Sequence, residues 1–266
     1  MVKKRPKRKI VLFLVEGKSE QKALKISISE LYDQIDENIE VFFPVIREEK
    51  EDKGGDITAT FYFDKLERKH WIRPSNIENA ICSMFLEDFF DKEKIYPKDV
   101  AEIIQIVDTD GAFITDDHVK FDPDLDVNKS IFYHENEIAC KDVEKIKRRN
   151  AQKSENLNYL SRCETIKIKQ KTIPYSIYYF SCNLDHFLHN SQNLDGKMKC
   201  PLADKFCEEY IGNPEGFVKK ISNDSDAVHG MDYKESWEYI KQDNKSLQRH
   251  TNFNLLLEKL FKEIQK

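Results

Sequence analysis

Ile10-Val11-Leu12-Phe13-Leu14-Val15-Glu16-Gly17-Lys18-Ser19-Glu20 begins with six apolar residues in a row and turns polar at a glutamate and a glycine. A continuous apolar run of that length fits a strand covered on both faces, as in a parallel sheet. Gly17 ends it. Leu24, Ile28, Leu31 and Ile35 then recur at three- and four-residue spacing, with Glu20 and Gln21 in the first turn, which predicts a helix with one buried stripe. Strand, tight turn and helix form the opening unit of an α/β sheet, and in such sheets ligands bind beyond the C-terminal ends of the strands, where Glu16 falls.

Further along, residues 39–46 place Ile39, Val41, Phe43 and Val45 on one face and predict a second strand, and the polar 47–56, with Gly54-Gly55, predicts an exposed loop. A helix is expected over 76–90, capped by Ser75 or Asn76, with Ile77, Ile81, Met84, Phe85 and Asp88 on one side. Ile103-Ile104-Gln105-Ile106-Val107 is the clearest strand and runs straight into Asp108-Thr109-Asp110-Gly111. From 112 to about 171 the pattern dissolves into charged sequence and reads as an insertion. Residues 173–180 predict another strand, closed by Ser181-Cys182-Asn183-Leu184-Asp185 and a short helix through His189. Beyond it the chain reads as helical. Phe253, Leu256, Leu257, Leu260, Phe261 and Ile264 form a stripe, and Trp237 with Ile240 marks another helix; both suit packing or a subunit interface, the latter making a homo-oligomer. The fold class expected is α/β, a mostly parallel central sheet flanked by helices, with an inserted segment and a helical C-terminal part.

The chain has 266 residues, 39% of them hydrophobic, enough for a substantial core. Charged residues make up 34%, yet the formal net charge is only -5, which excludes a uniformly basic nucleic-acid binder. Holding a phosphate polymer would then need local basic patches or metal ions. Basic runs occur at 3–9 and 145–149, the latter including Lys147 and Arg148, with Tyr133 and Tyr159 available for stacking on a single strand. No apolar run approaches membrane-spanning length and the basic start has no secretory apolar stretch, so a cytoplasmic protein without a membrane role is expected. The six cysteines include no Cys-x-x-Cys pair, so neither a zinc ribbon nor a redox motif is indicated.

On a sheet whose strands end at one edge, Glu16 and Asp108 converge, and Asp110, two residues on along an extended chain, faces the same way as Asp108 at roughly 6–7 Å. Hard carboxylates with no nearby cysteine or histidine favour magnesium or manganese over zinc. Gly17-Lys18-Ser19 is not a phosphate-binding P-loop, because Leu12 stands where that pattern needs a glycine and Glu16 would face the phosphates. Lys18 remains a candidate substrate contact. The acidic stretch from Asp116 to Asp126 lacks the glycine and terminal glutamate of a calcium loop. His186 and His189 have no third ligand at zinc-like spacing, while Asn183, Asp185 and His186 stand at a strand's C-terminal end as candidate substrate-binding residues.

An apolar strand ending in Glu-Gly and a later one ending in Asp-x-Asp resembles the TOPRIM domain of topoisomerases, bacterial primases and OLD-type nucleases. The resemblance implies a Rossmann-like core over 1–190, with the insertion at about 112–171 and a helical extension over 191–266. It implies catalytic roles for Glu16, Asp108 and Asp110, the glutamate in acid/base work or metal binding and the aspartates holding magnesium. Glu20 would be a further metal ligand, as OLD-type members carry an acidic residue four positions on. Tyr179 to His189 is similar to the strand-to-helix segment of RloB-like and abortive-infection TOPRIM proteins, which implies an antiphage effector working beside a separate ABC-type ATPase. The activity implied is a magnesium-dependent endonuclease acting on RNA, tRNA or DNA. Two alternatives stand: a haloacid-dehalogenase-like phosphatase with Asp108 as nucleophile, and a non-catalytic TOPRIM adaptor that regulates its ATPase.

Overall fold

The structure is a computed structural model describing residues 8–48, 51–52, 55–63, 66–126 and 129–266. The opening run forms β1 (Lys9–Leu14), followed by α1 (Lys18–Ile35) and β2 (Ile39–Phe42). Two small hairpins come next, β3 (Arg47–Glu48) with β4 (Glu51–Asp52) and β5 (Phe61–Phe63) with β6 (Lys69–Trp71). α2 (Ile77–Ile81) passes through a π-helical turn into α3 (Glu87–Glu93), and β7 (Val100–Asp108) follows. β8 (Val119–Phe121), β9 (Ile131–Tyr133) and β10 (Ile138–Cys140) make a separate three-stranded sheet. Then come α4 (Val143–Leu160), β11 (Thr165–Ile168), β12 (Lys171–Ser181) and α5 (Leu184–His189). The chain closes with α6 (Gly196–Tyr210), α7 (Pro214–Ser222), α8 (Tyr233–Ile240), β13 (His250–Thr251) and α9 (Phe253–Ile264).

The central sheet has the order β11-β12-β7-β1-β2, with β13 also on β12. β1 is parallel to both β2 and β7, and β7 is parallel to β12, so these four strands end at one edge; β11 and β13 join antiparallel. The chain moves from β1 out to β2 and then crosses to β7 on the other side. The crevice between β1 and β7 is therefore the topological switch point, the usual ligand position in such sheets. The fold is mixed α/β, a mostly parallel sheet flanked by helices.

Both sheet faces are buried, which is why β1 reads as continuous apolar sequence rather than alternating. Ile10, Leu12 and Leu14 face a core completed by α2, by Leu157 and Leu160 of α4, and by Trp237 and Ile240 of α8. Val11, Phe13 and Val15 face α1, α6, α7 and α9. Each such side chain contributes roughly 1.5–3 kcal/mol by leaving water. Trp237 and the stripe on α9 thus pack against the sheet within the chain. Residues 191–266 supply cover for both faces of the sheet, so their helices are part of the core. The segment expected as an irregular insertion contains β8 to β10 and the 18-residue α4. That helix escapes periodicity because Asn150, Lys153 and Asn156 occupy its buried face alongside Ile146, Leu157 and Leu160. No helix among the described residues is long and apolar enough to cross a membrane.

The turn after β7 is fixed from two sides. Thr109 and Asp110 donate their backbone N–H groups to the carbonyls of Phe180 (3.1 Å) and Cys182 (2.8 Å), and Gly111 donates to Ser246 (3.0 Å). Asp110 and Gly111 both take left-handed conformations, with φ of 50° and 70°. At Gly111 an added Cβ would lie 2.5 Å from Cδ2 of Leu247. Gly111→Ala is accordingly expected to lower stability by about 1–3 kcal/mol through combined strain and overpacking, measurable as a lower urea midpoint with an unchanged slope.

Candidate metal centre

Glu16 follows β1 and Asp110 follows β7, so adjacent central strands deliver them to the switch-point crevice. A third carboxylate joins them from the loop between β4 and β5: Gly55 donates to the Glu16 carbonyl at 2.6 Å, which brings Asp56 alongside. The oxygens of Glu16, Asp56 and Asp110 lie within 4.8 Å of one another. Among them sits Lys153 of α4, fully buried, its Nζ 2.6 Å from Asp110, 2.8 Å from Asp56 and 3.6 Å from Glu16. Tyr133 donates to Asp110 Oδ1 at 3.0 Å and itself accepts from Arg149 at 2.8 Å, while Arg149 also donates to the Asp110 carbonyl at 2.8 Å.

Burial pushes the Glu16 carboxyl well above the usual range, and Asp56, Asp108 and Asp110 add repulsion that Lys153 only partly offsets. Burial opposes ionisation of Asp110 as well, but Lys153, Arg149 and the Tyr133 hydroxyl overcome it and hold this carboxyl down at about 2. Lys153 keeps its proton: burial disfavours the charge, yet Asp110, Asp56 and Glu16 raise its pKa well above that of a free lysine. One acidic pocket thus holds a carboxylate locked in its ionised form and another that tends to retain a proton.

Asp108 does not face the same way as Asp110. β7 ends at Asp108, and the positive φ of Asp110 redirects the chain, so the extended-chain spacing expected between them does not apply. Asp108 Oδ1 instead accepts from the Leu184 N–H at the start of α5 (2.9 Å), and its own N–H donates to Glu16 Oε1 at 3.2 Å. Burial, then Glu20 and Asp110, push the Asp108 carboxyl well up. Glu20, its carboxyl raised by burial, packs so close to Gly17 that a Cβ there would meet its Oε2 at 3.0 Å. Lys199 of α6 lies near Glu20 and pairs with Asp185 at 2.8 Å. The carboxylates therefore form two groups: Glu16, Asp56 and Asp110 around Lys153, and Asp108, Glu20 and Asp185 towards Lys199.

The remaining candidates are placed as follows. Asn183 caps α5, accepting from His186 N at 2.9 Å, and donates to the Gln192 carbonyl. His186 is buried, its Nδ1 accepting from Cys182 N at 3.4 Å, and burial, with Arg249 adding to it, lowers its pKa to about 4, so it is neutral. Lys18 is exposed at the start of α1, and on α4 Arg148 is exposed while Lys147 lies 3.8 Å from Glu144. Tyr159 is tied to Glu78 at 2.8 Å. Most of the basic run at 3–9 lies outside the described residues. A large cleft lined by Tyr62, Glu78, Asn79, Cys82, Tyr159 and Lys167 includes neither of the two carboxylate groups; the converging charges, not this cleft, mark the candidate site.

Asp56, Tyr133, Arg149 and Lys153 complete the site beyond the residues the motifs point to. Asp56 carries no such signal, since it stands in the polar stretch 47–56 that reads as an exposed loop. Comparison with protein-family models, with curated proteins and with solved structures gives no match.

Removing the ammonium would leave three carboxylates facing one another. Lys153→Met is expected to lose about 3–5 kcal/mol at pH 7.5 in urea unfolding, and to be stabilised by magnesium or manganese more than the parent protein is. Glu16→Gln keeps an acceptor for the Asp108 N–H and removes the repelled charge. Because the Glu16 carboxyl titrates above its ordinary 4.5 in the fold, its contribution to stability is complete below that value and is lost as pH rises through the folded pKa. In EDTA the variant should therefore melt higher than the parent at pH 8, with the gap closing as pH falls towards 4.5.

Proposed function

We propose that this chain is a metal-dependent nuclease of TOPRIM type that hydrolyses nucleic-acid phosphodiester bonds. The observation that carries the reading is the delivery of Glu16 and Asp110 from adjacent parallel strands to the switch point, joined there by Asp56. An all-oxygen donor set of carboxylates suits a hard divalent ion. The buried Lys153 ammonium supports the same fit, because a positive charge already lies among these oxygens, 2.6 Å from Asp110, 2.8 Å from Asp56 and 3.6 Å from Glu16.

Glu16, Asp56 and Asp110 would hold magnesium or manganese. Bound there, such an ion neutralises phosphate charge and lowers the pKa of water. Asp110, held ionised, serves as a constant ligand. Glu16, whose carboxyl titrates closer to neutrality, is suited to take up a proton from the attacking water. Asp108 acts through the start of α5 and through Glu16, whose Oε1 accepts its N–H. The wider setting, an antiphage effector with an ABC-type ATPase partner, rests on the resemblance of the segment from Tyr179 to His189.

Lys153 also favours a second reading. An ammonium already seated among the carboxylates is what a non-catalytic TOPRIM adaptor would keep in place of a metal. The two separate in one assay. The nuclease is expected to cleave plasmid DNA or total RNA with magnesium or manganese, and Glu16→Ala and Asp110→Ala should lower the rate by roughly 10²–10⁴-fold. Cleavage at the parental rate in both variants would overturn the assignment, and absence of cleavage together with absence of metal binding would favour the adaptor.

A further inference from the structure

The β5–β6 hairpin carries a feature that the acidic site does not use. Its register pairs Phe61 with Trp71 and Phe63 with Lys69, so these four residues share one face and Tyr62 and His70 share the other. Tyr62 stacks on His70 and packs against the main core. The opposite face turns to solvent. Phe63 is 60% exposed and Trp71 51%, and with Leu66 at 72% this short segment holds three of the large exposed apolar side chains among the described residues. Phe61 meets Phe63 and Trp71 edge-on at 5.6 and 5.5 Å, and the Lys69 ammonium lies 3.7 Å over the Phe61 ring and 4.6 Å over the Trp71 ring.

We propose that this face is a stacking platform for the bases of a single-stranded nucleic acid, an inference that rests on the nuclease reading and names its substrate class. Exposed rings accept unpaired bases whatever their identity, and an ammonium seated among the rings meets the phosphates between them. Arg73, also exposed, adds a second cation just beyond β6. A protein partner is the poorer occupant, since interface centres are depleted in lysine. Duplex is poorer still, because its bases are already stacked on one another.

The platform is tied to the acidic cluster. Gln152 and Asn156, which flank Lys153 on α4, donate side-chain amides to the hairpin's base: Gln152 to the carbonyls of Thr60 (2.6 Å) and Ile72 (2.9 Å), Asn156 to those of Thr58 (2.8 Å) and Ile72 (3.1 Å). Thr58 in turn bonds the Asp56 carboxylate. Phe61 stands five positions after Asp56, at most about 18 Å of extended chain, so a strand stacked on the hairpin lies within a few nucleotides of the carboxylates.

The test uses the full chain in EDTA, where cleavage is off and binding is read alone. The probes are fluorescein-labelled single-stranded RNA and DNA of mixed sequence and the matching duplexes, followed by anisotropy. Of the two tryptophans, Trp71 is exposed and Trp237 buried, so quenching of the accessible emission reports the hairpin directly. Single strands, of RNA, DNA or both, are expected to bind and quench Trp71. Phe63→Ala and Trp71→Ala should each weaken binding by roughly ten-fold or more. Lys69→Gln should flatten the slope of log Kd against log salt by about 0.7. Circular dichroism confirms that each variant is folded, and Phe63, the more exposed ring, remains informative if Trp71→Ala is not. Equal binding of duplex, binding unchanged in folded Phe63→Ala, or a self-association lost in these variants without any nucleic-acid binding would each overturn the platform. None of those results touches metal-dependent cleavage, which the Glu16→Ala and Asp110→Ala assays decide independently.

Discussion

Lys153 places an ammonium with no exposure to solvent 2.6 Å from Asp110, 2.8 Å from Asp56 and 3.6 Å from Glu16. Burying any one of these ions alone would cost several kcal/mol, so the ammonium and the carboxylates it touches depend on one another. The balance recruits parts of the chain far apart in sequence: the end of β1, the loop after β4, the turn after β7, and α4 from the segment between β7 and β12. It is also incomplete. Burial first, and then repulsion from Asp56, Asp108 and Asp110, pushes the Glu16 carboxyl well above its usual range, while Lys153, Arg149 and Tyr133 hold Asp110 down at about 2. A proton on Glu16 and a divalent ion in the crevice are two ways of supplying the same missing charge.

Half of this arrangement is legible in the sequence. Strands buried on both faces announce themselves as apolar runs, so β1 and β7 and the acidic residues at their ends follow from local pattern alone, as does the stripe of α9. Asp110 is legible as a site residue, but its direction is not: the expectation that it faces the way Asp108 does assumes extended backbone, and the turn begins one residue too early for that. α4 is hidden for a different reason. Its inward positions are Asn150, Lys153 and Asn156 as well as Leu157 and Leu160, because they meet carboxylates and a hairpin backbone instead of a hydrophobic core. Amphipathic periodicity detects burial in oil and is blind to burial among polar partners. Asp56 reads as loop sequence, since a single backbone bond from Gly55 to Glu16 brings it into place.

The same property makes α4 the frame on which the site and its surroundings are aligned. Along one helical face, Arg149 holds the Asp110 turn, Lys153 joins the three carboxylates, and Gln152 with Asn156 grips both sides of the base of the β5–β6 hairpin. Positions three and four apart on a helix move as one body. A shift of α4 relative to the sheet would therefore change the charge balance and the hairpin's position together, and a change in what occupies the crevice would be felt at the hairpin.

That coupling bears on how an ion could enter. A divalent cation taking the place of the ammonium would have to push Lys153 outward or draw the carboxylates away from it; the lysine has no exposure to solvent, and its helical neighbours Gln152 and Asn156 are hydrogen-bonded to the base of the hairpin. The β1 and β7 ends are held by the parallel ladder, and the Asp110 turn by backbone bonds to Cys182 and Ser246. The Asp56 loop is held to Glu16 by the Gly55 backbone bond and to α4 by the Asn156 side chain, and α4 is held by Leu157 and Leu160 in the core as well as by its polar bonds. A metal ion in the crevice would therefore compete with this tethered cation for the oxygens of Glu16, Asp56 and Asp110. The tethered cation has the advantage of proximity, and a divalent ion would have that of a second charge.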